Sequence, residues 1–230
     1  MLDKGDRTPK EYASVQAQIQ KQKNALEARL LEHPLDNFKT FYFIALDLGF
    51  ADEEELIQYL QNKKVLDVGS GFNGLAIGSI LKGVSTDIIS VTPRKRDPNF
   101  QVYMRKLLES EDEYRVYSRE EKDKAIKESM QKTYFMFAHD LSFFKDESFD
   151  VVIDNAASFY YARNDEVLLL RQGLREELRV LRQGGTIRVG DFNTYGYNPP
   201  SWREGVLIDE GVNYSVFKNP HTSGVEITKI

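Results

Sequence analysis

Two hydrophobic patterns divide the chain near residue 63. Before that point, apolar positions recur at the spacing of amphipathic helices, with a first helix presenting on one face Tyr12, Val15, Ile19, Leu26 and Leu30. Two further helices are predicted, from Asn37 to Leu48 and from Asp52 to Asn62. We interpret residues 1–62 as an N-terminal helical extension that packs on the following domain, or that acts as a lid over a ligand site.

From Lys64 onwards, short apolar runs alternate with helical or charged segments. Five strands are predicted at residues 64–68, 87–91, 134–138, 149–153 and 186–189, in the alternation typical of parallel βαβ units. Two more, at 213–217 and 225–230, flank a loop of turn-forming residues and should pair antiparallel. The pattern predicts an α/β fold: a doubly wound, mostly parallel seven-stranded sheet with a C-terminal antiparallel hairpin, spanning residues 63–230.

The connection between the second and third predicted strands is longer than a βαβ crossover needs. It contains the acidic stretch ESEDEYR and a polar helix that starts at a capping box, Ser118-Arg119-Glu120-Glu121. Because apolar positions are sparse here, we expect residues 110–132 to form a solvated excursion from the domain.

The composition excludes several classes of function. The 230 residues include no cysteine, which rules out disulfides, thiolate zinc sites and cysteine nucleophiles. The three histidines show no metal-ligand spacing, so no metal is expected. A net charge of −5 argues against coating nucleic acid through a general field. The sequence shows no apolar leader and no membrane-spanning run, which favours a cytoplasmic protein without membrane contact.

The stretch VLDVGSGFNG predicts a strand, a glycine-rich turn and the start of a helix. The glycines Gly69, Gly71 and Gly74 form a G-x-G-x-x-G pattern, which lets backbone approach a ligand closely. Arginines after the second strand would suit the 2′-phosphate of a dinucleotide. Asp67 argues against that ligand, because a carboxylate two residues before the turn would repel a pyrophosphate and would suit a cationic group.

Several segments in order resemble a known family. VLDVGSGFNG resembles motif I of the class I S-adenosylmethionine-dependent methyltransferases. AHDLSFFKDESFDVVIDNAAS is similar to the third and fourth motifs of that family, and LRVLRQGGTIRVGDF to its helix, turn and fifth strand. The terminal hairpin ending VEITKI matches what the family's last two strands imply. The resemblance covers residues 63–230 and implies S-adenosyl-L-methionine as the cofactor.

The resemblance also implies roles for individual residues. Asp67 would face the methionine ammonium, and Asp140 would accept a hydrogen bond from the adenine amino group. Thr92 stands where the family usually has an acid that holds both ribose hydroxyls, and a threonine can make one such bond. The predicted cofactor-binding set is Asp67, Gly69, Ser70, Gly71, Gly74, Thr92, Asp140, Leu141 and Asn155.

The methyl acceptor is expected beyond the carboxyl ends of the fourth and fifth strands. Asp154 and Asp191 are candidate proton acceptors there, unless they are ordinary strand-end carboxylates. The tyrosines Tyr160, Tyr161 and Tyr195 would line a pocket for a small planar or cationic acceptor, unless they pack the sheet edge.

The sequence therefore predicts methyl transfer to an O or N atom of a small molecule. One alternative is an RNA methyltransferase that contacts phosphates through Arg94, Lys95, Arg96 and Arg105. The other is a cofactor-binding protein with weak or no catalytic activity, which is motivated by Thr92.

Overall fold

The structure is a computed structural model that describes residues 9–32, 38–93, 100–155, 165–190, 201–218 and 223–230. Its helices are α1 (Pro9–Glu32), α2 (Phe41–Asp47), α3 (Glu53–Leu60), α4 (Gly74–Leu81), α5 (Phe100–Ser110), α6 (Arg119–Gln131), α7 (Val167–Val180) and α8 (Ser201–Asp209). Its strands are β1 (Lys64–Val68), β2 (Asp87–Thr92), β3 (Thr133–Phe135), β4 (Phe149–Asn155), β5 (Leu181–Gly190), β6 (Asn213–Lys218) and β7 (Ser223–Thr228).

The seven strands form one sheet in the order β3-β2-β1-β4-β5-β7-β6. Strands β1 to β5 pair in parallel, whereas β7 pairs antiparallel with both β5 and β6. The order reverses between β1 and β4, which is the switch point where α/β folds bind their ligands. The predicted doubly wound sheet and its C-terminal hairpin are confirmed.

Strand β5 begins earlier than the predicted start at Thr186. Phe149 pairs with Leu181, and the ladder then shifts so that Val151 pairs with Thr186. Gly184 lies inside the irregular segment with a φ of 71°, a left-handed conformation that glycine adopts without strain. The turn-forming residues Gly184 and Gly185 thus lie in an irregular part of the strand, where the register with β4 shifts.

The helices α2 and α3 cover one face of the sheet. Thr40 caps α2 by accepting from the Phe43 N–H at 3.4 Å, so this helix begins later than the predicted Asn37. The two helices bury their apolar faces against β1, β2, β4 and α4, in a cluster that includes Phe41, Leu48, Leu56, Leu60, Val65 and Ile153. Burial of this cluster attaches the N-terminal extension to the sheet.

Close contact between α2 and α4 depends on glycine. A Cβ atom added at Gly74 would lie 2.2 Å from the carbonyl oxygen of Lys39, and one at Gly78 would lie 2.6 Å from the buried ring of Phe41. The backbone at Lys39 therefore needs glycine at position 74 to reach the start of α4.

Gly74→Ala is expected to lower the free energy of unfolding by about 1–3 kcal/mol, because the new methyl group must displace backbone. Gly205→Ala in α8 is a matched control, since no described atom lies within 4 Å of a Cβ added there. That control should be neutral or stabilising by up to about 1 kcal/mol. Urea unfolding of both variants measures the difference, and equal stabilities would disprove the packing argument.

Helix α1 is bound to the start of α7 by polar contacts. Arg29 donates two hydrogen bonds to the carboxylate of Glu166, each 2.8 Å long. Gln22 donates to the Asp165 carbonyl oxygen at 2.5 Å and accepts from the Leu169 N–H at 3.1 Å. Because α7 follows the connection from β4, these contacts tie α1 to the element next to the predicted acceptor pocket.

The expectation of a solvated excursion at residues 110–132 is wrong for one face of α6. The predicted capping box is present: Ser118 accepts from the Glu121 N–H at 3.2 Å, and Glu121 accepts from the Ser118 N–H at 2.7 Å. However, Ala125 and Ile126 are buried in a cluster with α4 and α5. Tyr114 is also fully buried, and its hydroxyl accepts from the Phe41 N–H at 2.8 Å. The segment is therefore packed against the domain and the extension.

None of the helices in the described part of the chain combines the length and apolar character needed to cross a bilayer.

Candidate functional site

The carboxyl ends of β1, β2, β4 and β5 meet along one edge of the sheet. Val68 pairs with Val91 on one side and with Asp154 on the other. Asn155, the next residue of β4, pairs with Gly190 at the end of β5. This register brings most of the predicted site residues that the structure describes to one edge.

Asp67 is the most deeply buried acidic group of the predicted cofactor set, at 4% exposure. It pairs in register with Ser90 of β2 and Ile153 of β4, so its backbone lies in the middle of the sheet. Burying a carboxylate in such a place is costly unless a cation or hydrogen-bond donors compensate it. Asp67 thus places a buried carboxylate directly before the glycine turn.

The turn after β1 has the conformation that its glycines predict. Gly69 and Gly71 have φ angles of 65° and 50°, in the left-handed region. The N–H of Ser70 between them donates to the Val91 carbonyl oxygen at 3.0 Å. That N–H is therefore committed to the protein, whereas phosphate-binding turns direct backbone N–H groups at the ligand.

Asn73 takes part in this turn and was missed by the sequence analysis. It has a φ of 58°, is fully buried, and its side-chain oxygen accepts from the Ser70 hydroxyl at 2.9 Å. Asparagine before a glycine is a signal for the left-handed conformation, but the sequence does not indicate the contact with Ser70. Gly74, predicted to bind cofactor, has a packing role at Lys39 that accounts for its glycine without a ligand.

Thr92 ends β2 and is 4% exposed. Its carbonyl oxygen accepts from the Met136 N–H at 3.0 Å, which extends the pairing of β2 with β3. The backbone of Thr92 is thus fixed beside the glycine turn. The charged residues that follow it, Arg94, Lys95 and Arg96, lie outside the described residues.

Asp140 and Leu141 follow β3 in sequence, and Leu141 contacts the last turns of α7: its N–H donates to Glu176 at 3.3 Å and its carbonyl oxygen accepts from Arg179 at 2.9 Å. Leu141 is fully buried, while Asp140 is exposed. The hydroxyl of Ser142 donates to Asp140 Oδ1 at 2.8 Å. This hydrogen bond, together with the nearby charge of Lys23, lowers the pKa of Asp140. Asp140 is therefore an ionised, exposed hydrogen-bond acceptor.

His139 precedes this acidic residue and lies stacked on Phe137, with ring centroids 5.0 Å apart. It is 5% exposed, and the Gln172 side chain donates to its carbonyl oxygen at 2.9 Å. Burial and then the charge of Lys23 lower the pKa of its imidazole to about 4. His139 is neutral at pH 7 and packs against the domain.

The lowered pKa of His139 predicts a pH dependence of stability. The unfolded chain takes up a proton near pH 6.5, whereas the folded chain does so near pH 4, so stability is lost as the pH falls between these values. From pH 7.5 to pH 5 this group should cost about 2 kcal/mol of unfolding free energy. Urea unfolding at both pH values should show a smaller loss for His139→Gln than for the wild type. An identical loss would contradict the conclusion that the lowered pKa of His139 causes this pH dependence.

The residues predicted for the acceptor pocket are described only in part. Asp154 is fully buried at the end of β4. Asn155 is half-buried, and a Cβ added at Gly190 would lie 2.6 Å from its side-chain oxygen and 3.0 Å from the Asp47 carbonyl oxygen. The carboxyl end of α2 therefore meets β4 and β5 at this edge. Tyr160, Tyr161, Asp191 and Tyr195 lie outside the described residues.

One residue predicted for contact with RNA is already paired. Arg105 Nε donates to Asp123 Oδ1 at 2.5 Å, which joins α5 to α6. This ion pair gives Arg105 a structural partner, so the residue adds no support to the RNA alternative.

Neither a protein-family model nor a curated protein sequence matches the chain. Solved structures do match it. A Nostoc punctiforme protein assigned as an O-methyltransferase has a TM-score of 0.52 at 14% identity, over 92% of this chain and 69% of that chain. A Methanococcus maripaludis protein assigned as an S-adenosyl-L-methionine-dependent methyltransferase has a TM-score of 0.50 at 15% identity, over 92% of this chain and 93% of that chain.

An O-methyltransferase family protein from Burkholderia thailandensis has a TM-score of 0.50 at 10% identity. That match covers 81% of this chain and 55% of the other chain. Together with the strand order, these likenesses confirm the predicted fold, which is that of the class I S-adenosylmethionine-dependent methyltransferases.

Proposed function

We propose that this protein is an S-adenosylmethionine-dependent methyltransferase that acts on an O or N atom of a small molecule. The observation that carries the proposal is the buried Asp67 directly before a turn with Gly69 and Gly71 in the left-handed conformation. The turn allows close backbone approach, and the carboxylate favours a cationic group over a phosphate. The ammonium of the cofactor's methionine part meets both conditions.

The proposed contacts follow the edge of the sheet. Asp67 and the turn hold the methionine part, Thr92 donates or accepts one hydrogen bond at the ribose, and Asp140 accepts from the adenine amino group. Leu141, next to Asp140, is fully buried in the hydrophobic core, so its proposed part is to support the backbone at Asp140. The matched structures assigned as methyltransferases support this ligand through their shared fold.

The N-terminal extension is proposed to cover this site. The charge of Lys23 in α1 acts on both His139 and Asp140, and the Asp47 carbonyl oxygen at the end of α2 lies beside Gly190. In this proposal the extension lies over the adenine side and the acceptor side of the site and would exclude water from the reacting groups.

Bound S-adenosylmethionine would supply a methyl group on a sulfonium, which is already an activated electrophile. The chain's own contribution is then alignment of the acceptor and removal of its proton. Asp154 is proposed as the proton acceptor on β4, with Asp191 as the candidate after β5. Asn155, Tyr160, Tyr161 and Tyr195 are proposed to orient a small planar or cationic acceptor.

Thr92 favours a second candidate, a protein that binds the cofactor without efficient turnover. A buried threonine at the end of β2 cannot accept hydrogen bonds from both ribose hydroxyls in the way a carboxylate does. Weaker binding of the ribose would lower the affinity for the cofactor and misalign its methyl group.

Transfer of a labelled methyl group distinguishes these functions. The protein is incubated with methyl-labelled S-adenosylmethionine and, separately, with a small-molecule extract or with total RNA. Label in small molecules supports the first proposal, and label in RNA alone would overturn its substrate class. Cofactor binding without label in either pool would favour the second candidate.

A further inference from the structure

A line of side-chain hydrogen bonds runs from α6 to the glycine turn. The Thr133 hydroxyl donates to the Ser129 carbonyl oxygen at 2.8 Å. The side-chain amide of Asn73 donates to Thr133 Oγ1 at 2.8 Å. The Ser70 hydroxyl donates to the side-chain oxygen of Asn73 at 2.9 Å. Residues from α6 and β3 are thereby joined through Asn73 to Ser70 of the turn.

The hydrogen bond from Thr133 to the Ser129 carbonyl oxygen determines which group donates and which accepts in every other bond of this line. The Ser129 carbonyl oxygen can only accept, so the single hydroxyl proton of Thr133 points towards it. Thr133 Oγ1 must then accept from Asn73, which requires the NH₂ group of that amide to face Thr133. The amide oxygen of Asn73 consequently faces Ser70, and it can only accept the Ser70 hydroxyl proton.

The backbone of Ser70 is committed as well. Its N–H donates to the Val91 carbonyl oxygen at 3.0 Å, and its carbonyl oxygen accepts from the Asn73 N–H at 2.7 Å. Both protons that Ser70 could offer as hydrogen-bond donors are used within the protein. The remaining hydrogen-bonding capacity of its side chain is the lone-pair side of Oγ.

We propose that Ser70 Oγ contacts the ligand as a hydrogen-bond acceptor only, and that Thr133 is a positioning residue that enforces this polarity through Asn73. The inference rests on the proposed function, and it specifies which chemical groups the turn selects. Ser70 recognises a ligand donor, either an ammonium or a ribose hydroxyl. A phosphate oxygen, which cannot donate when ionised, would meet an acceptor at this position and be rejected.

Calorimetric titration of the full chain with S-adenosylhomocysteine and with 5′-methylthioadenosine tests the proposal. Ser70→Ala should weaken S-adenosylhomocysteine about ten-fold, the scale of a hydrogen bond to a charged group. Unchanged affinity for 5′-methylthioadenosine, which lacks the amino acid, would identify the ammonium as the donor. A loss equal to that for S-adenosylhomocysteine would identify a ribose hydroxyl.

The role of Thr133 is tested by a double-mutant cycle. Thr133→Val should weaken S-adenosylhomocysteine several-fold in the wild-type background and have no further effect in the Ser70→Ala background, because both changes remove the same interaction. Thr133→Ser keeps the hydroxyl and should bind within about two-fold of the wild type. Melting temperatures show whether each variant is folded. If Thr133→Val does not fold, Ser70→Ala and Thr133→Ser still test the proposal.

Three results would contradict these statements separately. A wild-type protein that binds no S-adenosylhomocysteine would overturn the proposed function itself. Wild-type binding that Ser70→Ala leaves unchanged for both ligands would overturn only the acceptor role of Ser70. Equal losses of affinity from Thr133→Val with and without Ser70 would show that Thr133 affects binding independently of Ser70, and would overturn its positioning role.

Discussion

Arg29→Met is expected to detach α1 from the domain and to lower the free energy of unfolding by about 3–5 kcal/mol, the scale for breaking a buried ion pair. The guanidinium is 14% exposed and the Glu166 carboxylate 4%, so Glu166 would lose two charge-assisted hydrogen bonds in a place with little water. Among the described side chains of α1, Ile19 is buried and Gln22 makes two hydrogen bonds to the start of α7, so these contacts remain in the variant. Amide hydrogen exchange of α1 and urea unfolding measure the effect.

Lys21→Met is the matched control for this change. Lys21 lies exposed in the same helix, and its replacement also exchanges one cation for methionine. It should leave exchange in α1 and the unfolding free energy nearly unchanged. If both variants behave alike, the Arg29–Glu166 pair does not attach α1, and the extension is held by other contacts.

Asp67→Asn is expected to weaken binding of S-adenosylmethionine by about 1.5–3 kcal/mol, which is roughly ten- to a hundred-fold or more in dissociation constant. Asparagine keeps the shape of the side chain and removes the charge that the ligand's ammonium would meet. Calorimetric titration of the variant measures the loss.

Asp87→Asn controls for a general loss of negative charge. Asp87 begins β2 at the opposite edge of the sheet, where its partly exposed carboxylate accepts from Lys132 at 2.6 Å. Its replacement should leave cofactor affinity unchanged. If Asp67→Asn instead lowers the melting temperature and leaves affinity nearly intact, Asp67 only stabilises the turn.

The local patterns of the chain determine its framework well. Strand β1 has the predicted bounds, and the hairpin of β6 and β7 follows from two apolar runs around a loop. The turn after β1 could be predicted because glycines at positions 69 and 71 report a backbone conformation that few other residues adopt. Such features depend on neighbours in sequence, which a single sequence displays directly.

The features that sequence analysis missed depend on distant residues. Asn73 and Thr133 are 60 positions apart, and Arg29 and Glu166 are 137 apart, so no local pattern indicates either contact. The buried face of α6 was missed because its few apolar residues, Ala125 and Ile126, are sufficient when α4 lies against them. Tertiary packing decided these cases, and propensity did not.

The candidate site also has features that local sequence predicts and features that depend on distant residues. Residues at strand ends, such as Asp67 and Asp154, could be located from strand predictions because parallel strands end at one edge. The polarity of Ser70 could not, since it depends on a carbonyl of α6 that reaches the turn through two other side chains. The direction of the hydrogen bonds at Ser70 is therefore a property of the folded chain.

Competition between two ligands tests the central claim most directly. The unmodified protein is titrated calorimetrically with S-adenosylhomocysteine and with NADPH, which carry an ammonium and a pyrophosphate respectively. The buried Asp67 and the committed donors of Ser70 predict measurable binding of S-adenosylhomocysteine and much weaker or undetectable binding of NADPH. Tighter binding of NADPH would contradict the assignment of this turn to S-adenosylmethionine.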